Sequence, residues 1–273
     1  MAERPFWPRM MVLGASVCGI CSLTTAAQAS YILLDPTAGT TLTTGYGTSA
    51  YYVDSTGQHV TSTTPGAVQE VTNRLNVHTS GGLNETIALK ATTGAASGIT
   101  ATITDAFGAE NTSGVSPTGD AQTYFKGTPG LAGDGAAVGT GALTRNANSV
   151  GVITFSNLNA NATYNFILFG SRATVAGKDM TTVYQIDGTT TQSVTVDPQG
   201  NASTVWQIGG VHPKFDKTIG LTVSEGTTNN YFGYLNVMRV EEVVPEPASM
   251  SLLGVGTAAS LLLRRRSRTQ VQS

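Results

Sequence analysis

From Tyr31 onward the apolar residues come in short groups, roughly four to eight long, with turn residues between them at about every ten to fifteen positions. That spacing suits stacked strands better than any helical fold. Composition agrees: 12% of the 273 residues are charged and 32 are Gly, whereas surface helices need Lys, Glu, Arg and Gln on their wet face. The expected class is all-β, an antiparallel β-sandwich or jelly roll.

Tyr31-Ile32-Leu33-Leu34 reads as the first strand, closed by Asp35-Pro36. Residues 36–66 are mostly Thr, Gly and Ser around Ala50-Tyr51-Tyr52-Val53, so long loops and edge strands are expected there. The segment 68–77 fits a helical turn or two through Gln69, Glu70 and Arg74, or a strand through Leu75 and Val77. In 99–107, Ile99, Ala101 and Ile103 point one way and Thr100, Thr102 and Thr104 the other, the period of a sheet with one wet face. Residues 108–148 are Gly-rich, and only Tyr124-Phe125 looks like a buried strand within them. Further strands are expected at 150–158, 164–171, 182–186, 193–196, 205–208, 219–223 and 234–240, joined by turns such as Asp187-Gly188 and Asp197-Pro198-Gln199-Gly200. Residues 164–169 are apolar on both faces, as in a central strand.

The two ends of the chain carry a different signal. Arg4 and Arg9, an apolar run over 10–23, and Ala27-Gln28-Ala29 before Ser30 follow the order of a secretory signal peptide over 1–29, with cleavage after Ala29. Both cysteines, Cys18 and Cys21, fall inside it. A Cys-x-x-Cys in a removed segment has no fold to hold it, so the exported domain, 30–243, must stand on its core without a disulfide. This domain carries nine Lys and Arg against fifteen Asp and Glu, about −6 net. It offers no electrostatic footprint for nucleic acid.

After it, residues 244–273 hold Pro245-Glu246-Pro247, an apolar segment over 248–263, and a basic end over 264–268 that includes Arg264, Arg265 and Arg266. As a transmembrane-type helix, about sixteen residues span roughly 24 Å, short of the roughly 30 Å hydrocarbon core. Arginines after it stay cytoplasmic and leave the folded domain outside. These three parts in this order resemble the PEP-CTERM sorting signal, also known as the ice-binding protein C-terminal motif. The resemblance implies recognition of Pro245-Glu246-Pro247 by a membrane-embedded exosortase, and a protein held transiently by its tail before it reaches the cell surface or extracellular polysaccharide. Ice binding itself finds no support, because Thr61-Ser62-Thr63-Thr64 belongs to no regular repeat.

A weaker resemblance covers the body. Phe155-Ser156-Asn157-Leu158, Ala162-Thr163-Tyr164, Phe169-Gly170-Ser171-Arg172 and Gly233-Tyr234-Leu235-Asn236 are similar to a jelly-roll module related to galactose-binding-like sandwiches, as are Ile103-Thr104-Asp105-Ala106-Phe107 and Asn111-Thr112-Ser113-Gly114. It implies glycan contact by analogy of fold alone.

Catalytic chemistry is hard to find. No Gly-x-Ser-x-Gly elbow is present, and His59, His78 and His212 lack metal spacing. Asp179 with Asp187, and Asp105 with Glu110, are the carboxylate pairs a glycosidase would draw on, though turn capping explains such aspartates equally simply. No cofactor or metal ligand set is expected; structural calcium near Asp134 or Asp197 is the one candidate ion. Arg172, after an apolar strand, is a candidate for a buried pair with Asp105 or Asp179 or for a sugar contact. Tyr51, Tyr52 and Tyr231 are the candidate aromatic platforms for a sugar, whereas Trp206 and Tyr234 sit in alternating strands and belong to the core. The expected function is a non-enzymatic, exosortase-sorted surface or matrix protein with glycan as candidate ligand. The alternative is a secreted polysaccharide-active hydrolase with unassigned carboxylates.

Overall fold

The computed structural model describes residues 31–37, 46–53, 59–60, 63–77, 86–111, 113–115, 117–125, 135–138, 150–226 and 232–244. The signal segment, Pro245, Glu246, Pro247, the arginine cluster, Tyr231, His78 and Asp134 lie outside them, as do the side chains of Tyr51, Tyr52, His59 and Glu110. Among the described residues no helix is long and apolar enough to cross a membrane.

The chain runs through β1 (Tyr31–Thr37), β2 (Tyr46–Val53), β3 (His59–Val60), β4 (Val68–Asn76), β5 (Thr86–Lys90), β6 (Ala96–Asp105) and β7 (Ala109–Asn111) to a short helix, α1 (Gly119–Phe125). It continues with β8 (Gly135–Val138), β9 (Val150–Ser156), β10 (Thr163–Phe169), β11 (Thr182–Asp187), β12 (Thr191–Val196), β13 (Trp206–Val211), β14 (Ile219–Glu225), β15 (Gly233–Leu235) and β16 (Val237–Val243). Seven strands form one sheet in the order β13-β10-β16-β1-β4-β2-β3, and six form a second in the order β12-β11-β14-β9-β6-β5. A small third sheet joins β15, β8 and β7. The all-β sandwich expected from the sequence is the architecture.

The core lies between the two large sheets because their strands alternate. Ile32, Leu34, Phe166, Leu168, Met238 and Val240 of the first face Ile103, Ile153, Phe155, Ile186, Leu221 and Val223 of the second, all at 5% exposure or less. The rings of Phe155 and Phe166 meet across the layer at 5.6 Å. The alternation read at Ile99, Ala101 and Ile103 holds, with all three buried. β10, apolar on both faces, is also buried on both. Its Ile167 and Phe169 point away from the main core, into a second cluster with Tyr31, Leu33, Val237, Ala121 and Phe125.

That second cluster corrects one expectation. Tyr124-Phe125 is the end of α1, not a strand. Phe125 is buried as expected, but it plugs the outer face of the sheet against Phe169 at 6.3 Å, a job one side chain on a short helix can do. Two smaller differences concern β1 and β4. Asp35-Pro36 lies inside β1, where buried Asp35 accepts a bond from Arg74 Nε at 3.2 Å. Pro36, which has no N–H to give, comes after the β16 ladder has ended at Leu34. The ambiguous segment is the strand β4, inserted between β1 and β2; antiparallel to β2, it is parallel to β1. The last expected strand, 234–240, divides at Asn236 into β15 and β16.

A single side chain stitches the two sheets. Asn73 on β4, 2% exposed, donates through Nδ2 to the carbonyls of Leu33 on β1 (3.0 Å) and Lys90 on β5 (2.8 Å), and its Oδ1 accepts the Lys90 N–H (2.8 Å). Truncation strands three backbone groups at once, each of them costly to leave unpaired in the interior. Asn73→Ala is expected to lower stability by about 2–4 kcal/mol, read as a fall in the urea midpoint at unchanged slope.

Candidate functional site

The strands run between two ends of unlike chemistry. At the near end, Tyr31 of β1 pairs with Glu241 of β16, and Tyr164 of β10 pairs with both Glu242 and Val211. The turns at 91–95, 157–162, 188–190 and 212–218 close the strands on this side. At the far end, Phe169 of β10 pairs with Val237, and Thr182 of β11 with Val196 and Glu225.

The far end is held by a polar network rather than by apolar packing. Gly170 directly follows β10, and a Cβ there would collide with the Tyr184 hydroxyl and the Tyr234 carbonyl, which bond each other at 2.5 Å. Burial pushes the Tyr184 phenol far up, so it remains a donor at any physiological pH. The Ser171 N–H donates to Asn236 Oδ1 (2.8 Å), and its hydroxyl donates to the Asn201 carbonyl (2.6 Å) while accepting the Val115 N–H (2.8 Å). Asn111 Nδ2 donates to the Ser171 carbonyl (2.7 Å) and to Asn236 Oδ1 (3.3 Å). Asn201 Nδ2 reaches the carbonyls of Gly170 and Thr204, both at 2.9 Å. Ser171, Asn111 and Asn236 are wholly buried.

Arg172 closes this network. Its backbone is fixed by the Pro198 carbonyl (3.0 Å) and the Gly200 N–H (2.7 Å). Nη1 donates to Asn111 Oδ1 at 3.2 Å, and the guanidinium lies 5.9 Å from the centre of the Tyr234 ring. The partner is an amide oxygen rather than Asp105 or Asp179. Asp179 instead caps its own turn, accepting the Thr181 N–H and hydroxyl. Among the described residues the buried Nε and the buried Asn236 Nδ2 have no acceptor, and Nη2 has none either. Two buried donors left open on residues that both bond Asn111 call for a bridging water or a ligand oxygen.

The near end holds a cleft of about 160 Å³ between the sheets. Ile32, Ile99 and Val240 floor it, and Thr93, Ser97 and Glu242 stand on its rim. Glu242 Oε1 accepts from Asn159 Nδ2 at 2.9 Å. Behind it the Tyr164 hydroxyl accepts the Asn159 N–H at 2.8 Å; burial raises the phenol, the Asn159 bond opposes this, and the Glu242 charge adds to it. The chain leaves the sandwich beside this cleft, at the end of β16. Residues 243–266 match the PEP-CTERM protein-sorting motif. The motif thus begins on the last residue of a paired strand, with no linker between fold and signal. It marks a protein that is exported and transiently anchored at the cell envelope before exosortase processing.

A comparison with curated protein sequences finds no match. Among solved structures the chain is similar to TmCBM61 in complex with β-1,4-galactotriose, at 15% identity over 39% of this chain and 70% of that one, with a TM-score of 0.23. A likeness at that level assigns neither ligand nor residue roles here.

The candidate carboxylate pair Asp179 and Asp187 does not come together. The two flank β11 at opposite ends of the sandwich, separated by six extended residues, about 20 Å, beyond the roughly 5–9.5 Å of a glycosidase pair. Asp187 is instead bonded to Lys214 and Thr191, and the Lys214 bond leads in holding its carboxyl below the usual range. Asp197 accepts the Gln199 N–H within its own turn, and no group of three His, Cys, Asp or Glu suited to a metal occurs among the described residues. His212 lies in the turn after β13, its carbonyl accepting the Thr189 N–H. Trp206 packs partly buried against the core and 6.1 Å from Tyr184, and Tyr234 is 2% exposed.

Asn111, Ser171, Asn201 and Asn236 carry no catalytic signature, so spacing alone does not single them out. What groups them is that Asn111, Ser171 and Asn236 each lie in one of the fragments that resemble a single jelly-roll module, and those fragments converge at the far end. Asn236→Ala removes the acceptor of the Ser171 N–H, and about 1–3 kcal/mol of stability is expected to go with it. The readout is a lowered Tm together with faster hydrogen exchange at the Ser171 amide.

Proposed function

We propose that this protein is a non-catalytic surface or matrix component whose far end binds the hydroxyl groups of extracellular polysaccharide. One observation carries the reading: Arg172 is held rigidly by Asn111 and its own backbone bonds, yet keeps N–H donors unused at the end opposite the sorting tail. A guanidinium fixed in advance loses little freedom on meeting a ligand oxygen. The domain's net charge of about −6 disfavours polyanions, so the ligand class is a neutral glycan. Tyr231 remains a proposed stacking platform, whereas Tyr51 and Tyr52, paired with Glu70 and Gln69 toward the near end, are proposed platforms for a separate sugar contact; calcium near Asp134 or Asp197 is a proposed structural ion. The hydrolase alternative is left with Asp105 and Glu110, on either side of the short stretch from β6 to β7.

Fragment 30–243, complete through β16, is expected to be retarded on native gels containing neutral polysaccharide without releasing reducing ends. Arg172→Ala should weaken that retention about tenfold, the size of a lost charged hydrogen bond. Reducing-end release that disappears on Asp105→Asn would replace this reading with the hydrolase. For the sorting step, Glu246→Ala is expected to leave a membrane-held, unprocessed chain; unchanged mass and release in that variant count against recognition through Pro245-Glu246-Pro247.

A further inference from the structure

The exposed large apolar side chains among the described residues gather at one end of the sandwich. They are Val68 (59% exposed), Phe215 (105%), Val243 (42%) and Val244 (56%). Val68 opens β4, Phe215 tips the turn between β13 and β14, and Val243 closes β16. All three positions belong to the near end: Val211 pairs with Tyr164, Thr163 pairs with Val243, and β4 runs parallel to β1, whose Tyr31 hydroxyl reaches Glu70. In the sheet order, two strand spacings separate β13 from β16 and two more separate β16 from β4. At about 4.8 Å per spacing, the apolar positions span about 20 Å across the end of the molecule.

Phe215 is not exposed because its loop is loose. The Lys214 N–H donates to the Thr218 carbonyl (2.9 Å) and the Lys217 N–H to the Lys214 carbonyl (2.9 Å). Asp216 Oδ1 accepts from the Thr218 N–H (3.2 Å) and hydroxyl (2.7 Å), and the Lys214 ammonium pairs with Asp187. Lys217 adopts a left-handed φ of 62°, uncommon for a residue with a side chain. A bonded turn holds a bare aromatic ring outward. Scattered exposed apolar residues need no explanation, but their confinement to one end marks an interaction surface.

The position of the sorting motif names the partner. Val243 is both the last residue of β16 and the first of the motif, and four residues lie between it and the apolar segment beginning at Ala248, five chain steps away. Fully extended, that link reaches about 18 Å. While the tail is held, the near end therefore faces the bilayer at close range. We propose that this end docks on the lipid surface during that interval, with Phe215, Val68 and Val243-Val244 entering the headgroup region, so that the sandwich stands upright over its tail. Lys214 and Lys217 flank Phe215, but Asp187, Asp216, Glu241 and Glu242 face the same end, so the contact is apolar rather than a response to anionic lipid. So few side chains bind weakly on their own. The tether raises their effective concentration at the surface, and processing removes it, so docking ends with release.

The exported chain contains no cysteine once the signal peptide is gone, so a single labelled Cys reports one position. Val68→Cys carrying a polarity-sensitive fluorophore, in the mature tail-bearing protein reconstituted into phosphatidylcholine vesicles, is expected to emit to the blue and to be quenched by lipids bearing a shallow quencher. The same label at Ala176→Cys, in the far-end connection, should behave as in water. Adding Phe215→Asp should lower the docked fraction of the Val68 label about tenfold or more, and adding phosphatidylglycerol to the vesicles should leave it unchanged. A water-like, unquenched label at position 68 overturns the proposal. So does shielding that needs the processing enzyme and comes without lipid quenching, which assigns the surface to a protein contact instead.

Discussion

The pairing of the first described strand with the last is the constraint on which the rest of the structure depends. β1 and β16 lie side by side in the middle of the seven-stranded sheet, Tyr31 opposite Glu241. Neither the first nor the last described strand is therefore a dispensable edge. Contacts across about two hundred residues must form before the central sheet exists, which slows folding more than it weakens the product. It follows that the sorting motif cannot begin earlier than it does. A cut inside β16 would remove the strand that joins β10 to β1, whereas everything beyond Val244 leaves the described sandwich intact.

Polar groups supply specificity where apolar packing alone would permit slippage. The central strands of this sheet are buried on both faces, and two apolar faces give no preference of register. Arg239, at 3.5 Å over the Tyr31 ring, 5.8 Å from that of Tyr124, and paired with Glu241 at 2.5 Å, ties β16, β1 and α1 together on the outer face. Asn73 does the same between sheets, and the Asn111, Ser171 and Asn236 network does it at the far end. Each relies on the contacts of a buried or half-buried amide or guanidinium, and those contacts form in only one alignment of the chain.

Several strands are legible because their signals are local. Alternation at Ile99, Ala101 and Ile103, double-sided apolarity in β10, and turn chemistry at Asp187-Gly188 each act within a few residues, and the fold keeps them all. The parallel β1 and β4 pair was not legible, because it arises from β4 inserting between β1 and β2, a choice no local pattern records. Tyr124-Phe125 misled for a related reason: two aromatics beside Gly-rich text read as a strand, while burial against a distant Phe169 decides the helix. The sorting tail, a linear signal, could be read outright. The far-end site could be read only at Arg172, because Asn111 and Asn236 gain meaning from meeting across 125 positions.

The two ends of the sandwich divide the labour of an exported, temporarily tethered protein. β10 and β16 are seven residues each, holding the ends about 24 Å apart. The near end collects the start of β1, the end of β16, the exposed valines and Phe215, while the far end collects buried amides and a guanidinium with donors to spare. Were the two sets exchanged, the open donors would face headgroups and the apolar side chains would face the extracellular medium after release. With β1 entering and β16 leaving at the same end, one pairing fixes which end of the sandwich lies beside the sorting motif and which lies opposite it.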